Sequence, residues 1–210
     1  MKTILLTGAN GGIGSATAAA LRAAGAEVIG IDRDDADLAS YADVKKLAEK
    51  DDTRFDWLVF AHGFISAETE FEKQRSEEIK MTFDINTLSC IYLTQLLLPS
   101  LREGGGIIFV SSAAGVEPNG RIATYSASKA AVNAFSKALS RNKPNLSFYS
   151  VCPDATNTAM REQIFHDASK HQSPMVVAEV IAQLVNGTGG YKSGDVILVK
   201  DGETSVASRI

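Results

Sequence analysis

Thr7-Gly8-Ala9-Asn10-Gly11-Gly12-Ile13-Gly14, the stretch TGANGGIG, separates an apolar run, Thr3 to Thr7, from an alanine-rich one that continues to Ala24. Glycine inside an element costs roughly 0.5–1 kcal/mol relative to alanine, so glycines clustered at 11, 12 and 14 mark a backbone that turns sharply or is closely approached. The run before them reads as a strand and the segment after them as a helix. The glycines therefore sit at a strand-to-helix turn.

That alternation repeats along the chain. Strand-like runs fall at Thr3 to Thr7, Glu27 to Asp32, Trp57 to Ala61, Ile107 to Ser111, Leu146 to Val151 and Asp195 to Val199. Helical periodicity falls between them at Gly12 to Ala24, Ser40 to Lys50, Glu77 to Arg102, Thr124 to Asn142 and Met175 to Asn186. The strands are apolar without alternation, the pattern of strands buried on both faces, and strand–helix–strand order builds right-handed crossovers. The predicted fold class is α/β: a Rossmann-type doubly wound parallel sheet with helices on both faces, one domain over 1–210. Asp154 to Ser173 has no clear period and follows a strand end, the position of a lid or binding segment.

Composition narrows the function classes. The 210 residues are 45% hydrophobic and 22% charged with a net charge of -4, which gives no basic footprint for nucleic acid or an anionic membrane. The apolar stretches are too short to span a bilayer and the N-terminus lacks a signal-peptide pattern, so a cytoplasmic location is expected. Cys90 and Cys152 sit alone in apolar runs, as buried thiols do, and no metal-ligand spacing is present, so no metal is expected.

In a doubly wound sheet the glycine turn lies at the carboxyl edge, where a helix N-terminus offers free amides to a pyrophosphate. The spacing Gly8, Gly12, Gly14 is longer between its first two glycines than the standard dinucleotide fingerprint, and taken alone it also describes a turn that holds no ligand. A second signal is ATYSASKAAVNAF, which puts Tyr125 and Lys129 on one helix face, one turn apart. A phenol is a poor proton shuttle at neutral pH, but an ammonium held beside it favours the phenolate. Such a pair also arises by chance on helix surfaces.

With these motifs in order, the sequence resembles the short-chain dehydrogenase/reductase family over nearly its whole length. The match rests on Thr7, Gly8, Gly12 and Gly14; Asp32 after the second strand; Asp37 and Leu38; Asn86 in FDINTLS; Ser112 in SSAAG, thirteen residues before Tyr125; the Tyr125/Lys129 pair; and PDATNT, Pro153 to Thr158. The resemblance implies a catalytic set of Asn86, Ser112, Tyr125 and Lys129. It further implies cofactor contacts at Gly8, Asn10, Gly12, Ile13, Gly14, Asp32, Arg33, Asp37, Leu38, Ala61, Gly63, Tyr125, Lys129, Pro153 and Thr158. The implied activity is hydride transfer between a nicotinamide cofactor and a small-molecule carbonyl or secondary alcohol. Tyr125 would act as acid/base, Ser112 would bond the reacting oxygen, Lys129 would bind the ribose, and Asn86 would order a water. Ser111, adjacent to Ser112 in a strand, is expected to face away. The resemblance also implies a homodimer or homotetramer formed through the two long helices.

Departures from the family pattern set further expectations. The family's Asn-Asn-Ala-Gly appears here as FAHG, placing His62 either as a second titrating group beside the cofactor or as a filler of the bend. Asp154 stands where glycine follows Pro153, which puts the lid geometry in question. Phe64, Ile65, Val116, Met160, Ile164 and Phe165 are candidates for an apolar substrate wall. The carboxylate of Asp32 favours NAD, with NADP still possible because Arg33 could reach a 2′-phosphate, lie across the adenine, or pair with Asp34 or Asp35. The C-terminal stretch resembles the dihydropteridine reductase branch, so a dihydropteridine-type reductase is an alternative, as is a non-catalytic NAD(H)-binding sensor.

Overall fold

In a computed structural model, which describes residues 1–50, 52–67 and 70–207, each apolar run forms a strand of one sheet. In chain order the elements begin with β1 (Thr3–Thr7), α1 (Gly12–Ala23), β2 (Glu27–Ile31), α2 (Tyr41–Ala48) and β3 (Phe55–Phe60). Next come α3 (Ser76–Phe83), α4 (Ser89–Leu97), β4 (Leu101–Val110), α5 (Ala123–Asn142) and β5 (Ser147–Pro153). The chain closes with α6 (Ala159–Phe165), α7 (Pro174–Asn186), β6 (Val196–Lys200) and β7 (Glu203–Val206). The strand order is β2-β1-β3-β4-β5-β6-β7, parallel except for the last pair.

The lack of alternation in the strands has a direct cause. Leu6, Val59, Ile108 and Val151 bury one face of the sheet under Leu21 of α1 and Val177 and Ile181 of α7. Their neighbours Leu5, Leu58, Ile107 and Phe148 bury the other face under Val44 of α2, Leu93 and Leu97 of α4 and Val132 of α5. Each such side chain, fully withdrawn from water, contributes about 1.5–3 kcal/mol. Two packed faces hold the sheet rigid, with its carboxyl edge carrying the loops.

Three features differ from the sequence expectation. The segment 77–102 is not one helix: α3 and α4 are joined by a π turn at Asp84–Leu88, and Pro99, which has no amide proton, sits in the short turn that ends α4 before β4 begins at Leu101. Asp154 to Ser173 is folded and holds α6, with the Thr158 hydroxyl capping its start and left-handed His166 ending it. Seven residues are too few to show a helical repeat. Finally, β7 pairs antiparallel with β6 through Asp201-Gly202, both at positive φ. Its residues are exposed and, apart from Val206, polar, so no hydrophobic pattern marks it.

Candidate active site

The glycine turn is built too tightly for any other residue. Gly8 has φ +69°, and a Cβ there would lie 2.7 Å from the His62 amide nitrogen, while one at Gly14 would lie 1.9 Å from the Gly8 carbonyl oxygen. Helix α1 follows with Gly11 at its N-cap and no side chain bonding its first amides. Those amides, and the partial positive charge of the helix end, are open to an anion. Asp32 stands beside the turn: its Oδ2 accepts the Asn10 amide at 2.7 Å and its Oδ1 accepts the Arg33 amide at 2.8 Å. An uncapped helix start, a turn without room for a side chain and a fixed carboxylate fit a dinucleotide whose ribose diol faces Asp32.

Around Asp32 the expected neighbours divide. Arg33 is exposed and its side chain pairs with neither Asp34 nor Asp35; the Asp35 carboxylate instead accepts the Asp32 amide at 2.8 Å. Asp37 accepts the Ala39 amide, and Leu38 packs against the core cluster on the α2 side. Ala61 extends the ladder by donating its amide to the Thr7 carbonyl at 3.1 Å.

The second half of the site comes from β4, α5 and the loop after β3. Tyr125 and Lys129 lie in the first two turns of α5, and the Lys129 ammonium sits 5.8 Å from the centre of the Tyr125 ring. Lys129 is buried, and its Nζ donates to the Val110 carbonyl at 3.0 Å. A Cβ at Gly63 would lie 3.5 Å from that Nζ and 3.4 Å from Asn86 Oδ1, in ordinary contact with both, so Gly63 sits directly against the buried ammonium. Ser112, just beyond β4, accepts the Ala114 amide at its Oγ. Ser112 and Tyr125 border one cleft of about 240 Å³, together with Ile13, Pro153 and Thr158. Ser111 also touches this cleft, contrary to expectation, but its hydroxyl is engaged by the Lys129 carbonyl at 3.1 Å.

Asn86, in the π turn, is fully buried. Its Oδ1 accepts the Phe64 amide at 2.7 Å, and its Nδ2 donates to the Phe64 carbonyl at 2.8 Å and to Ser128 Oγ at 3.0 Å. The side chain thus ties the loop after β3 to α5. His62 fills the bend: Nδ1 meets Thr7 Oγ1 at 2.5 Å and Nε2 meets Ser89 Oγ at 2.7 Å. Because the Ser89 hydroxyl donates to the Ile85 carbonyl, its oxygen accepts Nε2–H, which leaves Nδ1 to accept from Thr7. Burial, reinforced by the Lys129 charge, pushes the imidazole down to about 3, so it is neutral. Burial likewise pushes the Cys90 thiol up to about 11 and the Cys152 thiol up to about 12.

At the lid, Asp154 adopts no left-handed backbone; its amide continues the ladder to Val199, so glycine is not required there. Ile65, Met160, Ile164 and Phe165 border the cleft as expected, joined by Ile122, whereas Phe64 and Val116 do not. The sequence reading missed Arg161. Its guanidinium grips Asp167 by two bonds of 2.7 and 2.9 Å and stacks 4.3 Å from the Phe165 ring centre. Hydrogen bonding from Arg161 holds the Asp167 carboxyl well below its ordinary range. A spacing of six residues is not a helical contact spacing, so only the folded lid reveals the pair.

A family model described as short chain dehydrogenase matches residues 2–52 and 35–169. The chain belongs to the short-chain dehydrogenase family. It is therefore an oxidoreductase moving hydride between a nicotinamide and a carbonyl or alcohol carbon. The 3-oxoacyl-[acyl-carrier-protein] reductase of Rickettsia conorii is 29% identical, covering 96% of each chain. The benzil reductase ((S)-benzoin forming) of Saccharomyces cerevisiae is 30% identical over 63% of this chain, which spans only 61% of that relative. The 3-ketoacyl-(acyl-carrier-protein) reductase of Brucella melitensis, solved with NADH, superposes with a TM-score of 0.85 at 23% identity, covering 94% of this chain and 95% of that one. Among the described residues no helix is long and apolar enough to cross a membrane.

Proposed function

We propose that this chain is an NAD(H)-preferring carbonyl reductase or alcohol dehydrogenase whose acid/base is Tyr125. The observation that carries the reading is the convergence of Ser112 and Tyr125 on one cleft, with the buried Lys129 ammonium beside the phenol ring. A bound nicotinamide supplies or accepts the hydride. In the reducing direction Tyr125 gives its proton to the carbonyl oxygen, and in the oxidising direction it takes the hydroxyl proton. Ser112 donates a hydrogen bond to the same oxygen, where negative charge develops; removal of one such donor typically costs about 10² to 10³ in turnover.

Lys129, with Gly63 directly against its ammonium, has donors beyond its bond to Val110 for a ribose hydroxyl to meet. Asn86 acts through position, fixing the Phe64 loop and α5 with its side-chain amide. Asp32 supports NAD: a 2′-phosphate about 4 Å from its carboxylate would be repelled by about 4 kcal/mol at an effective dielectric of 20.

The test is oxidation of NADH and NADPH against a panel of ketones, quinones and dihydropteridines. Turnover of carbonyl compounds with NADH favoured is expected, and reduction of dihydropteridines alone would replace this reading with the pteridine one. Cofactor binding with no turnover of any member would mark a sensor.

A further inference from the structure

Cations and anions around the cleft are unequally available to a substrate. Among the described residues, the cleft is bordered by one cation, Arg161, and two carboxylates, Glu117 and Asp154. Arg161 is not free. Besides its two bonds to Asp167, its Nη2 lies 3.2 Å from His171 Nε2, and one face of the guanidinium lies on Phe165. A bidentate guanidinium–carboxylate pair is among the stronger polar contacts, and here it is three-quarters withdrawn from water. Arg121, on Phe165 at 5.0 Å from the ring centre, does not border the cleft, and Lys129 is buried with a bond to Val110. Asp154 accepts the Ala155 amide at its Oδ1 at 2.8 Å and has its Oδ2 3.8 Å from an exposed Lys200, and no described cation pairs with Glu117. The apolar part of the wall is Ile13, Ile65, Ile122, Met160, Ile164 and Phe165, and its uncharged polar part includes Ser112, Asn119, Tyr125 and Thr158.

We propose that the cleft selects apolar carbonyl compounds that are uncharged at neutral pH and disfavours those carrying a carboxylate into it, with Asp167 setting this selectivity by occupying Arg161. The inference rests on the dehydrogenase reading and adds the charge class of the substrate. Asp167 itself touches no substrate; it acts by keeping the one bordering cation engaged, so the wall presents apolar surface and negative charge to whatever enters.

The experiment compares 4-acetylbenzamide with 4-acetylbenzoate, matched in shape and differing in charge, using the full chain and NADH. The expected kcat/KM favours the amide by about tenfold or more, equivalent to about 1.4 kcal/mol. Intrinsic reactivities cancel in two further comparisons. Raising the salt concentration is expected to narrow the ratio by screening the carboxylates, and Asp167→Asn is expected to narrow it by releasing Arg161. Should Asp167→Asn fail to fold, the salt series decides. Equal or better use of the benzoate, or a ratio that neither salt nor the variant moves, would overturn the proposal. Reduction of neither ketone would also overturn it, and if the broad carbonyl panel were inert as well, the dehydrogenase reading would fall with it.

Discussion

A phenol and an ammonium one helical turn apart carry the proton chemistry proposed for this chain. Tyr125→Phe removes the proton donor and nothing else, so turnover is expected to fall by 10² or more while NADH binding, read by nucleotide fluorescence, stays nearly unchanged. Retention of more than about a tenth of the turnover would move the acid/base role elsewhere. At the other end of the cofactor site, Asp32→Ala is expected to erase the preference for NADH over NADPH in kcat/KM, because the carboxylate is held in place by two backbone amides. An NADPH preference in the parent protein, or an unchanged ratio in the variant, would refute that assignment. Both residues were legible in the sequence, since the motifs that carry them are local. Arg161 was not legible, since its significance comes from Asp167 and Phe165, which only the folded lid brings to it.

At the level of elements, the lid and the glycine turn meet. A Cβ at Gly12 would strike the Thr158 side chain at 2.8 Å, so the base of the lid lies directly on the turn that would hold the pyrophosphate. The lid's two ends are clamped: Thr156 bridges to Gln172, whose Nε2 donates to the Val199 carbonyl at 3.0 Å. Between them, α6 is held by the Arg161–Asp167 pair, by the Ala168 amide donating to Glu162 at 2.9 Å and by the Phe165 contacts, bonds made largely within the lid itself. Amide exchange across 159–170 is expected to slow when NADH and a ketone are both present, and equal protection with and without them would rule out closure. Gly14→Ala belongs to this scale too. With a Cβ only 1.9 Å from the Gly8 carbonyl oxygen, the turn must open, and loss of nucleotide binding is the expected result in titrations with NADH.

For the whole molecule, His62 couples stability to pH. It joins Thr7 at the end of β1 to Ser89 at the start of α4, and it must be neutral to do so. Desolvation, with a further contribution from Lys129, lowers it from 6.5 to about 3, so between these values the unfolded chain binds the extra proton. Its contribution is complete above pH 6.5 and is lost as pH falls through that window, by about 2 kcal/mol at pH 5. Thermal melts are expected to show the loss between pH 7 and 5, and His62→Asn is expected to flatten it. A slope identical in the two proteins would assign it to other groups. The Asp167 carboxyl, lowered by hydrogen bonding from Arg161, adds its own loss at more acidic pH, beginning in the ordinary carboxylate range and continuing below it.

The sequence by itself determined six strands, their parallel direction and the glycine turn, because strands buried on both faces are apolar throughout and a tight turn leaves glycine no substitute. It also placed Asn86, Ser112, Tyr125 and Lys129 by family resemblance. Tertiary structure alone decided the rest. It broke 77–102 at a π turn and a proline, gave Asn86 its bonds to Phe64 and Ser128, and enclosed His62 between Thr7 and Ser89. It also fixed the charge of the cleft by pairing Arg161 with Asp167. Periodicity records which face of an element is buried, whereas pairings between side chains of different elements, or across an irregular loop, leave no period in the sequence.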